Sequence, residues 1–260
     1  MSAALEKELP DLMKFIATLA RESAAVIMPH FRSATLTVER KGDASPVTEA
    51  DRGGELRMRE LIAERYPTHG VVGEEFDDSN PGADLVWILD PIDGTISFTG
   101  GSPLFGTLIC LAHEGRPVLG AIHLPAVGQL LVGDGRETRL NGTPVRVRTG
   151  VSLEEALLLV TDIGNIDRYR PGVRFTDLLK RVRVMRTWGD CYGYAQVAAG
   201  WADVMMDPIM NRWDLMALIP VVEGAGGRIS DWSGNDAAAG DSCLAAPPAL
   251  HEAVLEYLHR

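Results

Sequence analysis

Short apolar runs punctuate this chain at 85–89 (LVWIL), 104–112 (LFGTLICLA), 117–124 (PVLGAIHL), 156–160 (ALLLV) and 202–206 (ADVMM). Each has the length of a buried strand and falls well short of the ~18 apolar residues that a membrane-spanning helix needs. Helical spacing lies between them. Leu12, Phe15, Ile16, Leu19, Val26 and Ile27 recur largely at three- and four-residue intervals, which predicts an amphipathic helix over 11–31. A second helix is expected over 49–65, although Gly53 and Gly54 weaken it by about 1 kcal/mol each relative to alanine. The runs at 104–112 and 117–124 are joined by a turn-like His-Glu-Gly-Arg, and Asn141-Gly142 marks a further hairpin.

From residue 151 onward strands and helices alternate. Strands are expected at 156–160, 182–185, 202–206 and 227–230, with helices near 173–181, near 190–200 and from about 213. This order predicts an α+β half over 1–150 followed by an α/β half over 151–260. No Pro/Ser-rich linker, low-complexity tract or internal repeat separates the two, so they are expected to form one layered unit with two subdomains.

With 260 residues, 46% of them hydrophobic, the chain can bury a large core. Its 36 acidic residues outnumber 25 Lys and Arg, and the net charge of −11 argues against nucleic acid or an anionic membrane as partner. Cys110, Cys191 and Cys243 are scattered and odd in number, which speaks against a disulfide framework and against a thiolate metal site. The amino terminus carries charges where a signal peptide needs its apolar core, so a cytoplasmic protein is expected.

The acidic residues gather at the ends of predicted elements: Glu74 and Glu75 in VVGEEF, Asp90 and Asp93 in LDPIDGT, and Asp214 in NRWDLM. Taken singly, Asp-Pro and Asp-Gly are ordinary turn signals. The pair is more informative, because Pro91 and Gly94 are expected to turn the chain between the strand and Thr95 and so aim two carboxylates into one space. The six histidines show no HxH or HExxH spacing, which leaves an all-oxygen site of the kind that suits Mg²⁺ better than zinc. Mg²⁺ usually binds through a few carboxylates together with substrate phosphate, and the backbone N–H groups of Gly94 and Thr95 could hold that phosphate. Thr48 and Asp51 fit a T-x-x-D capping box, a structural role that competes with a catalytic one for Asp51. Lys41 reads as a solvated lysine or a phosphate contact. IDGT also resembles the end of the D-x-D-G-T motif of haloacid-dehalogenase-type phosphatases. Pro91 stands where that motif needs its nucleophilic aspartate, which makes the covalent mechanism a poor fit.

GEE (73–75), DPIDGT (90–95), WD (213–214) and EGAGG (223–227) together resemble the signature of the inositol monophosphatase superfamily of Mg²⁺-dependent phosphatases. The resemblance implies a layered αβαβα sandwich, commonly a homodimer, holding two or three Mg²⁺ ions. It implies Glu74, Asp90, Asp93 and Asp214 as metal ligands with the Ile92 carbonyl as a further one, and Asp51 paired with Thr95. Direct hydrolysis would follow, with Asp51 and Thr95 orienting and deprotonating a water activated by metal that Glu74 helps to hold, and with no phosphoenzyme.

Residues 186–214 are most similar to the histidinol-phosphate phosphatase branch. In that reading Asp190 and Asp207 complement the ammonium and imidazole of the substrate, and Tyr192 or Tyr194 and Trp188 offer aromatic faces, unless those rings serve helix packing instead. Ile96 departs from the polar or basic residue that many relatives carry after DGT. The alternatives are an inositol 1-phosphate phosphatase, a phosphatase of broad sugar or nucleotide range, and a non-catalytic binder of phosphate or metal.

Overall fold

The first apolar stripe folds as α1 (Ala3–Ile27), which buries Leu12, Ile16 and Leu19 completely. It ends earlier than its spacing suggested. Pro29 disfavours a helical Met28, and Met28–His30 close the segment as a 3₁₀ turn. The computed structural model describes residues 3–34, 37–40 and 46–259; Lys41 lies outside them.

A short ribbon of β1 (Val38–Arg40) and β2 (Pro46–Thr48) leads into α2 (Glu49–Arg65), whose limits are those expected. The two glycines of α2 face α1, where an added Cβ would come within 2.9 Å of Val26 at Gly53 and 2.8 Å of Ile27 at Gly54. Close approach of the two helices offsets their poor helix propensity.

Seven strands then form one sheet in chain order: β3 (Gly70–Gly73), β4 (Leu85–Asp93), β5 (Gly106–His113), β6 (Arg116–Leu124), β7 (Gln129–Gly133), β8 (Thr138–Leu140) and β9 (Thr143–Val145). Neighbours are antiparallel except β3 and β4. The central strands are buried on both faces, which is why they read as unbroken apolar runs.

No turn occurs at Pro91, contrary to expectation. β4 runs through it to Asp93, because the pairing with β5 slips between Asp90 and Asp93, and such a bulge tolerates a residue without an N–H. Gly94 makes the turn, with φ +82°, into α3 (Thr95–Thr99).

The remaining strands are β10 (Leu157–Leu159), β11 (Val184–Arg186), β12 (Val204–Asp207), β13 (Arg228–Ser230) and β14 (Cys243–Ala246), in the sheet order β11-β10-β12-β14-β13. The first three are parallel, as alternation with helices requires. β14 is antiparallel to both of its neighbours, so this sheet is mixed. Among the described residues no α-helix lies between β13 and β14, and an antiparallel pair needs none.

Its helices are α4 (Ile163–Tyr169), α5 (Phe175–Leu179), α6 (Asp190–Ala198), α7 (Arg212–Leu215), α8 (Leu218–Gly224) and α9 (Pro248–His259). α1 and α2 cover the outer face of the seven-stranded sheet, α6 and α8 pack between the sheets, and α5 and α9 cover the far side, giving the αβαβα order. Each interlayer space is filled by its own buried apolar cluster. Among the described residues no helix is long and apolar enough to cross a membrane.

Candidate active site

The end of β4 and the first turn of α7 bring three carboxylates together. One oxygen each from Asp90, Asp93 and Asp214 lies within 4.8 Å of the others. Asp214 is placed by its own capping box, in which its Oδ2 accepts the Asn211 N–H at 2.8 Å. Asp93 Oδ2 accepts the Cys191 N–H, which ties β4 to the start of α6. Glu74 follows β3, and its N–H donates to the Leu89 carbonyl at 3.3 Å. Its charge is among those that raise the pKa of Asp51, Asp90 and Asp214.

Burial, followed by the charges of Glu74, Asp93 and Asp214, pushes Asp90 well above the usual carboxylate range. Burial likewise raises Asp93, with the charges of Asp190 and Asp214 adding to it. Asp214 is pushed to about 6 and Asp190 to about 7, in both cases chiefly by burial. Asp90 is only 1% exposed, and its Oδ1 has no hydrogen-bond partner among the described residues. An orphaned carboxylate oxygen among like charges, in a group of three carboxylates, fits a hard divalent cation such as Mg²⁺.

Two adjoining clefts of about 400 and 390 Å³ open beside this cluster and share Ile96, Thr161, Asp162 and Asp190. Among the described residues no lysine, arginine or histidine lines either one. Gly94 and Thr95 stand on the wall of the first cleft, and a Cβ at Gly94 would come within 2.9 Å of Asp190 Oδ2. Asp190 itself adopts φ +52°, held by its N–H donating to Thr161 Oγ1 at 2.8 Å. Ile96 is 77% exposed at the opening, an apolar side chain facing solvent.

Asp51 performs the capping role in full: its Oδ2 accepts from the Thr48 N–H at 2.8 Å and from the Thr48 hydroxyl at 2.6 Å. Burial raises its pKa, and the nearby Glu74 charge acts in the same direction. The Thr95 hydroxyl donates to the Ile92 carbonyl at 3.1 Å rather than to Asp51.

Three substrate-facing expectations change. Tyr192 packs, partly buried, against the core between the sheets and lines neither cleft. Tyr194 is fully buried, and its hydroxyl donates to Asp207 Oδ2 at 3.0 Å. Asp207 borders a cleft, but its other oxygen accepts the Thr161 N–H at 3.1 Å, so both oxygens already serve the fold. Trp188 remains 41% exposed.

The structure also adds residues that sequence reasoning passed over. Asp162, Asn165 and Tyr169, at the cap and along α4, line the second cleft. Glu55, buried under the 73–75 turn, accepts the Glu75 N–H at 2.9 Å and the Arg59 Nε–H at 2.8 Å. An added Cβ at Gly73 would sit 2.1 Å from Glu55 Oε1, so the glycine of GEE makes room for that carboxylate.

The sequence profile of the inositol monophosphatase family matches residues 8–260. The chain belongs to the inositol monophosphatase family. It is 40% identical over 219 residues to the bifunctional phosphatase IMPL2, chloroplastic, of Arabidopsis thaliana, covering 83% of this chain and 63% of that protein's length. It is also 40% identical over 227 residues to a histidinol-phosphatase of Chlorobaculum parvum, covering 86% of this chain and 87% of that one. Among solved structures, an inositol monophosphatase from Zymomonas mobilis superposes with a TM-score of 0.87 at 36% identity, covering 100% of both chains. Members of this family are metal-dependent phosphatases acting on small phosphorylated substrates, and Asp93 and Asp214 of the acidic cluster line the second cleft.

Membership makes the pH behaviour of the cluster testable. The raised carboxylates let the folded, metal-free chain keep protons that the unfolded chain releases near pH ~4. Metal-free stability should therefore be greatest at and below that range and fall as pH rises through about 6 and 7, where Asp214 and Asp190 ionise. A divalent cation held by these carboxylates would compete with those protons, so addition of Mg²⁺ should raise Tm more at about pH 8 than at about pH 5. A Tm gain that did not vary with pH would count against these carboxylates as the metal site.

Proposed function

We propose that this enzyme is a Mg²⁺-dependent phosphomonoesterase that hydrolyses histidinol phosphate to histidinol and phosphate. The charge of the cleft carries the reading. Beside the carboxylate cluster its walls present Asp162 and Asp190 with Asn165, Asn211 and Tyr169, and no cation among the described residues. Histidinol brings an ammonium and an imidazole that can protonate, and both gain from such walls. The hydroxyls of inositol are neutral and gain far less. The similarity to the histidinol-phosphatase of Chlorobaculum parvum supports the same reading.

Mg²⁺ held by Glu74, Asp90, Asp93, Asp214 and the Ile92 carbonyl would supply Lewis acidity toward the phosphate and lower the pKa of the attacking water. The chain's own groups do the rest. Backbone N–H groups of Gly94 and Thr95 hold the phosphate against the start of α3. Thr95, its hydroxyl proton engaged by Ile92, presents an oxygen lone pair that orients the water for in-line attack. Asp51, raised by burial, accepts the proton. Asp190 and Asp162 hold the cationic end of the substrate, and the Thr161 hydroxyl oxygen fixes Asp190 by accepting its backbone N–H.

Hydrolysis of inositol 1-phosphate is the second reading, favoured by the end-to-end match to the Zymomonas inositol monophosphatase. The charge of the wall separates the two. Asp162→Asn keeps an N-cap on α4 while removing the charge. It should lower kcat/KM for histidinol phosphate by about tenfold and leave that for inositol 1-phosphate within about twofold. Equal losses on both substrates would remove the support that the cleft gives to histidinol phosphate.

A further inference from the structure

A cavity of about 610 Å³, larger than either cleft, lies between α1 and the strands β6, β7 and β8 and shares no lining residue with the clefts. Nothing in phosphate hydrolysis uses it. Its apolar wall is Met13, Ala17, Leu130 and Val132, and three of these, Met13, Leu130 and Val132, pack against the buried cluster under α1. The size is that of a small-molecule site.

The charge of this cavity is the reverse of the catalytic cleft. Lys14, Arg21 and Arg139 line it and, among the described residues, no carboxylate does, in a chain whose net charge is −11. Lys14 pairs with Asp11 at 3.0 Å, but both side chains are exposed, and such a pair is weak. Arg139 gives its Nε–H to Glu137 and its NH1 to the Gly142 carbonyl. Among the described residues the Arg21 guanidinium hydrogen-bonds the Thr18 hydroxyl, at 3.3 Å, and pairs with no carboxylate. A further polar group is left over: Gln129 Oε1 is buried on the cavity wall with no hydrogen-bond partner among the described residues. An exposed guanidinium with no carboxylate partner among the described residues and a buried acceptor without a donor border the same space, and one ligand can engage both.

We propose that this cavity binds a small amphipathic organic anion. Its apolar body lies on Met13, Ala17, Leu130 and Val132. Its carboxylate, phosphate or sulfonate head is held by Arg21 with help from Lys14 and Arg139, and a hydroxyl or N–H of the ligand donates to Gln129. The site is independent of which phosphate ester the enzyme hydrolyses.

The probe is 8-anilinonaphthalene-1-sulfonate, an aromatic anion with one N–H, titrated by fluorescence into the full chain with Mg²⁺ present. Its uncharged counterpart N-phenyl-1-naphthylamine is titrated in parallel. Saturable binding at one site is expected, with the uncharged probe at least about tenfold weaker and Arg21→Glu weakening the anion by at least about tenfold. Arg21 takes no part in hydrolysis, so the variant should keep its turnover and thermal unfolding, which separates loss of the site from loss of the fold. Binding that does not saturate, equal affinity for the two probes, or affinity untouched by Arg21→Glu would overturn the proposal. So would light scattering that showed Arg21→Glu splitting a dimer, since the cavity would then belong to a second copy of the chain.

Discussion

Replacing Asp93 by asparagine is expected to lower kcat for phosphate release by about 10³-fold or more while the fold stays intact. Asparagine keeps an oxygen for the Cys191 N–H, so the tie between β4 and α6 survives. At alkaline pH, where the cluster is ionised, what disappears is one negative charge from a buried group of carboxylates whose members raise one another's pKa. The metal-free variant should therefore unfold at a higher temperature than the metal-free wild type, by roughly 1–2 kcal/mol of stability, and respond less to Mg²⁺. Thermal scans with and without Mg²⁺, run beside phosphate-release kinetics, read both effects. A variant with wild-type turnover would remove Asp93 from the proposed metal site.

Glu55→Ala is expected to be the most damaging single change for stability near the site. It strands Arg59, only 14% exposed, and leaves the Glu75 N–H without its acceptor. Breaking a buried pair from one side costs roughly 3–5 kcal/mol. Because Glu55 holds the turn that carries Glu74, surviving folded protein should also need several times more Mg²⁺ for half-maximal activity. Glu55→Gln keeps the shape and one acceptor, and should recover part of both losses. Denaturant midpoints and Mg²⁺ titrations of the two variants test this, and unchanged Mg²⁺ dependence in both would limit Glu55 to a packing role.

The parts of this molecule that could be read from sequence are those whose cause is local. The start of α2 follows from the Thr48 and Asp51 box, which is formed by residues three apart. The carboxylates of DPIDGT announce themselves because turn formers and charges stand side by side at the end of an apolar run. Features decided by distant packing were silent. Glu55 looks like a solvated helix residue until Gly73 is seen to make room for it. Within α6 the residues from Gly193 to Ala198 are all buried, so no stripe tells which aromatic faces a cleft, and Tyr192 and Tyr194 both turned inward. Pro91 suggested a turn because its neighbour's bulge depends on β5, sixteen residues downstream at Thr107, whose hydroxyl donates to the Pro91 carbonyl at 2.8 Å. In α9 the buried residues Leu250, Val254 and Leu258 stand at four-residue spacing, a helical signal that sequence reasoning missed at the end of the chain.

The central claim is that Asp90, Asp93 and Asp214 hold the divalent ions, and anomalous scattering from a crystal grown with Mn²⁺ in place of Mg²⁺ tests it most directly. The account predicts at least one strong peak about 2.1 Å from carboxylate oxygens of all three residues. A peak elsewhere, or none at these carboxylates in a crystal of enzyme that hydrolyses its substrate with Mn²⁺, would contradict it.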